Sequence, residues 1–518
     1  MNEYRAVWRK QIFTLAFYLC TVSFLFGNTF YISTTGSDAN AGTSSAPWST
    51  FKHAFQNTGP GDVVLVRGGT YPSETIKGSD MTGGTPDNYL VFKAAPGETP
   101  ILDNFSQLKL SKDYIRFEGM TFLQQGIAAE GTGCQIVGNT FTGPGFGFGA
   151  IHVLGNDLLF EGNTIDVIQN NTLDHGIYVH EGDGITIRNN MFLRSFGYAI
   201  HIFGQNRDTT PLPLKNILIE DNYISGSEQR SGIITAFAAT NAVDLANITI
   251  RNNVITANAG AAIAARQGTN IRIYNNTIYD NQQAISGNSI GPSIFISSFA
   301  GSEDVNNVTV SNNIIVTLGG EDHIKMTSTG ANIVVDNNLY WPQSSNISGI
   351  SDNHAIFADP DLVNPSSGDF HIASNSPAID VGLIIASVTE DFDGNLRPQG
   401  NGYDIGAFEF TDSPTSVEQK ETTPPDQFQL QQNYPNPFNP STEITFVVPR
   451  GSNVFLAVYN LLGQRVRTLV DEVVNTAGPR KVIWDGRNQF GQSVSSGVYF
   501  YRLQSAATVL SRRMVLLK

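Results

Sequence analysis

From Tyr114 to Tyr340 apolar and polar positions alternate in short runs, and most runs end on an asparagine. The motif is apolar-x-apolar-x-(Asn/Gly)-Asn-x-apolar, as in LLFEGNTI, ITIRNNMF, ILIEDNYI, ITIRNNVI, IRIYNNTI and VTVSNNII. A period of two predicts strands with one face inward. The asparagine before the final x-apolar pair recurs at Asn139, Asn163, Asn190, Asn222, Asn253, Asn276, Asn313 and Asn338. Its spacings are 24, 27, 32, 31, 23, 37 and 25 residues, and a repeat of this length predicts a solenoid. Three short strands and three turns fill about two dozen residues at ~3.3 Å each, which is one coil of a parallel β-helix. Asparagine suits the turn, because its backbone tolerates the left-handed region and its amide can bond the same amide one coil away. An antiparallel sandwich would need Asn-Gly-type hairpin turns between neighbouring strands, and these are largely missing from the repeat.

The flanks read differently. Arg5, Arg9 and Lys10 precede the apolar run 11–27, so residues 1–27 are expected to be an export signal. Cleavage there would remove Cys20 and leave Cys134 without a disulfide partner. The stretch SAPWSTFKHAFQ predicts a short amphipathic helix with Trp48, Phe51, Ala54 and Phe55 on one face, suited to plug the open end of a solenoid spanning 28–340. Residues 341–410 read as its closing segment, and the polar, Pro-containing stretch 411–427 as a linker. Alternating strands and turn residues over 428–518 predict a small Ig-like β-sandwich.

Charge narrows the function classes. Lys and Arg number 31 against 46 Asp and Glu, a net charge of −15, which argues against a nucleic-acid partner. An anionic substrate would have to be held by local cations or a metal. No run after residue 27 is long enough to span a bilayer, so no transmembrane segment is expected in the mature chain, and a monomer is expected.

Two resemblances add to this reading. FYISTTGSDANAGTSSAPWSTFKHAF and GPGDVVLVRGGTY resemble the opening of secreted right-handed β-helix proteins of the pectate-lyase superfamily, closest in style to the alginate-lyase and chondroitinase-B-like group. The fold so implied is all-β, a right-handed single-stranded parallel β-helix followed by the small β-sandwich. FQLQQNYPNPFNPSTEITFVVP, VYNLLGQRVRTL and SSGVYFYRL resemble the sorting domain of the type IX secretion system. That resemblance implies passage through the type IX machinery, across the outer membrane, to a secreted or surface-attached state.

Candidate chemistry comes from aligning coils. In GAIHVLG, HGIYVHEG and GYAIHIFG, Ile151, Ile177 and Ile200 fall in one inward column and Val153, Val179 and Ile202 in the next. By alternation His152, Tyr178 and His201 then share an outward column, with His180 on the same face. The superfamily's substrates are acidic polysaccharides. Cleaving a uronic-acid glycan by β-elimination needs a base for the C5 proton, a partner for the carboxylate and an acid for the leaving O4. Tyr and His suit the acid and base roles when neighbours tune them. Tyr178 is the candidate acid/base, and His180 or His201 the candidate base. His152 is the candidate carboxylate or hydroxyl binder, Arg194, Arg207 and Arg230 the candidate clamps, and Tyr198, with Phe146 and Phe148, a stacking surface. Asp174, Glu181 and Asp183 are candidate Ca²⁺ ligands.

The alternatives are a C5-epimerase, a glycoside hydrolase and a non-catalytic glycan-binding surface protein. Gly176 followed by His180-Glu181 resembles part of the mannuronan C5-epimerase motif, but Tyr178-Val179 stands where that family has Asp-Pro. Chondroitinase-B-like enzymes use a Lys as base; here Lys109, Lys112 and Lys215 are the nearest lysines.

Overall fold

The computed structural model describes residues 27–517 except 104–107, 125, 144–148, 168–173, 205–213, 238–244, 282–290, 299–304, 343–345, 412–427, 432, 437, 450, 451, 461–463, 475, 477 and 506–508. The expected export signal, with Cys20, lies outside the described residues but for Gly27. So do Phe146, Phe148, Arg207 and the expected linker apart from Thr411.

Three parallel sheets wind into one solenoid. The first holds 12 strands from Thr29–Ile32 to Ile333–Asp336, the second 12 from Gly69–Tyr71 to Ile356–Phe357, and the third 10 from Leu108–Leu110 to Ile347–Ser348. Each coil visits them in that order, as in Gly182–Arg188, Met191–Arg194 and Ile200–Gly204. The inward columns are aliphatic and aromatic throughout. One runs Ile136, Phe160, Ile187, Ile219, Ile250, Ile273, and another Ile151, Ile177, Ile200, Ile233, Ile263, Ile294, all fully buried. Burying a side chain of this size contributes ~1.5–3 kcal/mol, so the stacked columns supply most of the drive to fold.

The asparagine pairs at the turn between the first and second sheets divide two tasks. The first member takes the left-handed backbone, with φ of 52° at Asn252, 50° at Asn275 and 57° at Asn312. The second extends its amide along the solenoid. Asn253 Oδ1 accepts from Asn222 N–H at 3.0 Å and from Asn222 Nδ2 at 2.9 Å. Its own Nδ2 donates to Ile219 O, Arg251 O and Asn276 Oδ1. The same bonds repeat from Asn139 to Asn338, every member buried. At the far end Asp352 replaces the next amide, and its carboxylate accepts from Asn338 N–H, Asn338 Nδ2 and Tyr340 Oη.

The two ends are treated differently. The helix Phe51–Asn57, capped by Thr50 accepting from His53 N–H, turns Phe51, Ala54 and Phe55 onto Phe92 and Phe117. The expected closing stretch, 341–410, first adds the strands Ile347–Ser348 and Ile356–Phe357 to the solenoid, with Asp352 between them, and the rest of it runs back along the outer face of the second sheet. There Phe370, Phe392 and Phe408 cluster with Met191, Tyr223 and Val254. Arg397 and Glu409, both fully buried and 2.7 Å apart, pin this strap. Asp391 in DFDGN accepts from Asp393 N–H and Asn395 N–H, which makes that motif a turn.

The C-terminal domain sets a three-stranded antiparallel sheet (Gln429–Leu430, Thr442–Val448, Gly478–Trp484) with a four-stranded one (Ser452–Asn460, Arg465–Val474, Gly497–Gln504, Val509–Leu516) around Phe438, Trp484 and Tyr501. It docks on the strap, where Asn436 Nδ2 donates to Asp393 Oδ1 at 2.6 Å and Arg512 to Asn395 Oδ1 at 2.7 Å. Behind Asp393 the His371 ring bridges two buried carboxylates, Nδ1 to Asp369 and Nε2 to Asp393, each at 2.7 Å. Burial works against the charged ring, but Asp393 and Asp369 outweigh it and raise His371 to about 10.

Substitutions in the amide row and at the bridging imidazole test these two roles. Asn253→Ala strips the acceptor from two buried Asn222 donors and the donor from two carbonyls, so it should cost ~3 kcal/mol or more, at ~1–3 kcal/mol for each buried group left unmet. Asn247→Gly, in a half-exposed amide row with φ 57°, should cost under ~1 kcal/mol. Urea-unfolding midpoints compare the two, and equal losses would refute the buried row's role. His371, raised from its ordinary value, gives stability that is full below pH ~6.5 and is lost as the pH climbs through about 10. The midpoint difference between wild type and His371→Gln should shrink across that window; a constant difference would contradict the assignment.

Candidate functional site

On the third sheet the paired strands Ile151–Val153, Ile177–Val179 and Ile200–Gly204 place His152, Tyr178 and His201 in register. In-register stacking ~4.8 Å apart brings their rings face to face. His152 and Tyr178 have centroids 5.2 Å apart and planes within 6°, and Tyr178 and His201 are 4.9 Å apart within 17°. His180, two residues beyond Tyr178, turns its edge to both, 5.4 Å from Tyr178 and 5.7 Å from His152.

A fourth imidazole joins them. His175 lies 4.4 Å from His201 and 5.6 Å from Tyr178, and its Nε2 is 3.0 Å from His201 Nδ1. Its Nδ1 accepts from Tyr198 N–H at 3.1 Å. Four of the chain's 8 histidines thus meet around one tyrosine. Period-two alternation did not reveal His175, because it sits in the bend before the strand, where alternation assigns no face. Its one signal was its place three residues before Tyr178 in HGIYVHEG.

These rings point away from the solenoid core, yet most are covered. His152 and Tyr178 are 6% exposed, and His175 and His180 are 3% exposed. His201, Tyr198 and Phe203 are half-buried, and Arg230 is exposed. Tyr198 packs on His201 at 4.6 Å, and the Arg230 guanidinium lies 5.9 Å from the Tyr198 ring centroid. Burial first, then Arg230, lowers His175 to about 3. Burial, His175, Arg230 and His180 in turn hold His201 well below its ordinary value. Both imidazoles are therefore neutral at neutral pH, with a cation at the rim. Beyond His201 the same face continues apolar, through Ile234, Ala236, Ala264 and Phe295.

Other expected participants lie elsewhere. Arg194 belongs to the second sheet, and Asp166 holds its guanidinium with two bonds of 2.6 and 3.0 Å, so it is committed away from the cluster. Asp183 is on the first sheet, where Asn216 Nδ2 donates to it at 2.6 Å and Lys215 stands 3.7 Å away. Asp174 is buried before the strand that carries Tyr178, and Glu181 follows that strand. The three acids expected to hold Ca²⁺ do not form one donor set, and among the described residues no group of three or more His, Cys, Asp or Glu side chains is placed to hold a metal ion. Lys109 shares the row, two strands before His152, but pairs with Glu130 at 3.7 Å.

Fold and C-terminal domain together define an exported right-handed parallel β-helix protein. More particularly, the chain matches right-handed β-helix family models along its solenoid and ends in a secretion system C-terminal sorting domain. Residues 30–208 match the family described as the Pel9A-like right handed beta helix region, residues 168–356 the right handed beta helix region, and residues 432–517 the secretion system C-terminal sorting domain. The sorting domain marks it for export to the cell surface or beyond. Among the described residues no helix is long and apolar enough to cross a membrane. No curated protein matches the sequence.

Similar solved structures include pectate lyase Pel9A, with 17% identity and a TM-score of 0.43 over 74% of this chain and 96% of that one. The Azotobacter vinelandii mannuronan C-5 epimerase AlgE6 A-module shows 14% identity and a TM-score of 0.39 over 59% and 93%. A glycoside hydrolase shows 10% identity and a TM-score of 0.45 over 64% and 96%.

Proposed function

We propose that the chain is a polysaccharide lyase that cleaves a uronic-acid-containing glycan by β-elimination on the outer face of the third sheet. The observation that carries this reading is the stacked imidazole–phenol–imidazole row with Arg230 at its rim. The groups stacked around Tyr178 are imidazoles and phenols with a guanidinium at the rim, whereas a glycosidase uses paired carboxylates ~5–9.5 Å apart, for which Asp174 and Glu181, on either side of the same strand, are the candidates. That composition favours elimination over hydrolysis.

Elimination takes the C5 proton to a base, breaks the C4–O4 bond, forms the C4–C5 double bond and delivers a proton to O4. Arg230 and the half-buried edge of His201 meet an incoming carboxylate first. Tyr198 offers its ring to a sugar face. Tyr178 is assigned acid/base, with His180 or His201 as base and His152 as hydroxyl binder. Tyr178 and His180 lie one layer beneath the rim, so productive binding must bring the sugar ring through that layer to within ~3 Å of them.

The test is a panel of uronate polysaccharides. Growth of the ultraviolet absorbance of an unsaturated product supports the lyase. New reducing ends without that absorbance would mean a hydrolase, and binding alone a surface adhesin. Tyr178→Phe should lower kcat ~100-fold or more with the fold intact by circular dichroism. Full activity in that variant would remove Tyr178 from the mechanism. Arg230→Gln should raise KM ~10-fold with little change in kcat, as loss of uniform substrate binding does; an unchanged KM would take Arg230 out of carboxylate binding.

A further inference from the structure

The proton positions in the cluster can be read from its hydrogen bonds. A backbone amide only donates, so Tyr198 N–H, 3.1 Å from His175 Nδ1, requires that nitrogen to be unprotonated. Neutral His175 then carries its proton on Nε2. That nitrogen faces His201 Nδ1 at 3.0 Å, so His175 donates and His201 accepts. His201 in turn carries its own proton on Nε2, the nitrogen not engaged by His175. The chain of assignment starts at a backbone group that has no second protonation state, so it runs in one direction only.

We infer that His175 is a positioning residue that locks His201 in the Nε2–H tautomer, making His201 a hydrogen-bond donor to the substrate. This role rests on the lyase reading for its substrate, but the tautomer itself does not. Neutral His201 has its one basic nitrogen, Nδ1, occupied by His175, so it has no lone pair to take a C5 proton. It carries an N–H instead, on a ring packed against Tyr198, over which Arg230 lies. Such a donor suits a uronate carboxylate, whose charge must be met as the C5 anion develops. The base role then falls to His180, which edges Tyr178 from the other side.

His175 is well placed to hold this arrangement. It is buried, it contacts Tyr178, Tyr198 and His201, and its own second nitrogen is fixed by the main chain. A side chain that only filled space would leave His201 free to exchange between tautomers. The carboxamide of Gln carries an N–H donor near the position of the imidazole Nε2, whereas Phe fills the volume and offers none.

The experiment is ring-nitrogen NMR on the full chain labelled with ¹⁵N-histidine, at neutral pH and without ligand. Wild type should show His201 with an unprotonated Nδ1 and a protonated Nε2. His175→Phe should lose that single pattern and show averaged signals from two exchanging forms, and His175→Gln should restore it. A protonated His201 Nδ1 in wild type, or an unchanged pattern in His175→Phe, would overturn the inference. With a cleaved uronate glycan in hand, His175→Phe should lower kcat ~10-fold or more and His175→Gln much less. Failure of the wild type to cleave any uronate glycan while the tautomer pattern holds would defeat the lyase reading and leave the donor assignment standing.

Discussion

The buried row of asparagine amides fixes the register on which everything else in this molecule depends. A solenoid of aliphatic columns tolerates slippage by two residues along a strand, since Ile meets Ile either way. The amide row does not. Each side chain from Asn190 to Asn313 receives two donors from the preceding coil and returns its own to two carbonyls and the next amide. A shift at any coil would bury unmet polar groups at ~1–3 kcal/mol each, a large share of the marginal stability of any domain. The third sheet inherits its register from this turn. The stacking of His152, Tyr178 and His201 is therefore a downstream consequence of asparagines on another side of the coil.

The same constraint explains where the sequence can vary. Coil spacing ranges from 23 to 37 residues while the amide row stays unbroken, so extra length must enter away from it. In chain order, residues 205–213 and 238–244 fall between a third-sheet strand and the next first-sheet strand, and 168–173 and 282–290 between the second and third sheets. Each of these stretches is next in chain order to a third-sheet strand.

Much of the fold was legible because it repeats. Period-two alternation gave the inward columns, and the strand registers of Ile151, Ile177, Ile200 and Ile233 agree with it residue for residue. The NN pairs pointed to both a left-handed turn and an amide row, but one asparagine does not perform both; only the φ values separate Asn252 from Asn253. What failed to show in the sequence is aperiodic. His175 sits in a bend, Arg194 is captured by Asp166 one coil away, and the strap over the second sheet is held by single long-range contacts such as Arg397 to Glu409. Nor does alternation say how far an outward side chain is covered, and Tyr178 points outward while remaining 6% exposed.

That cover shapes what chemistry the cluster can do. A carboxylate brought wholly into this layer would lose its hydration against His175 and His201, which burial keeps uncharged, with no charge on either ring to offset the loss. At the rim it meets the exposed Arg230 guanidinium and the His201 edge while still touching water. The uncharged part of a sugar ring carries no such penalty and can enter toward Tyr178 and His180. For the proposed uronate substrate, anion at the rim and ring within would set a C5 proton over the inner residues while its carboxylate stays with the outer ones. On the proposed lyase reading, the neutrality that burial imposes on His175 and His201 would select this binding pose.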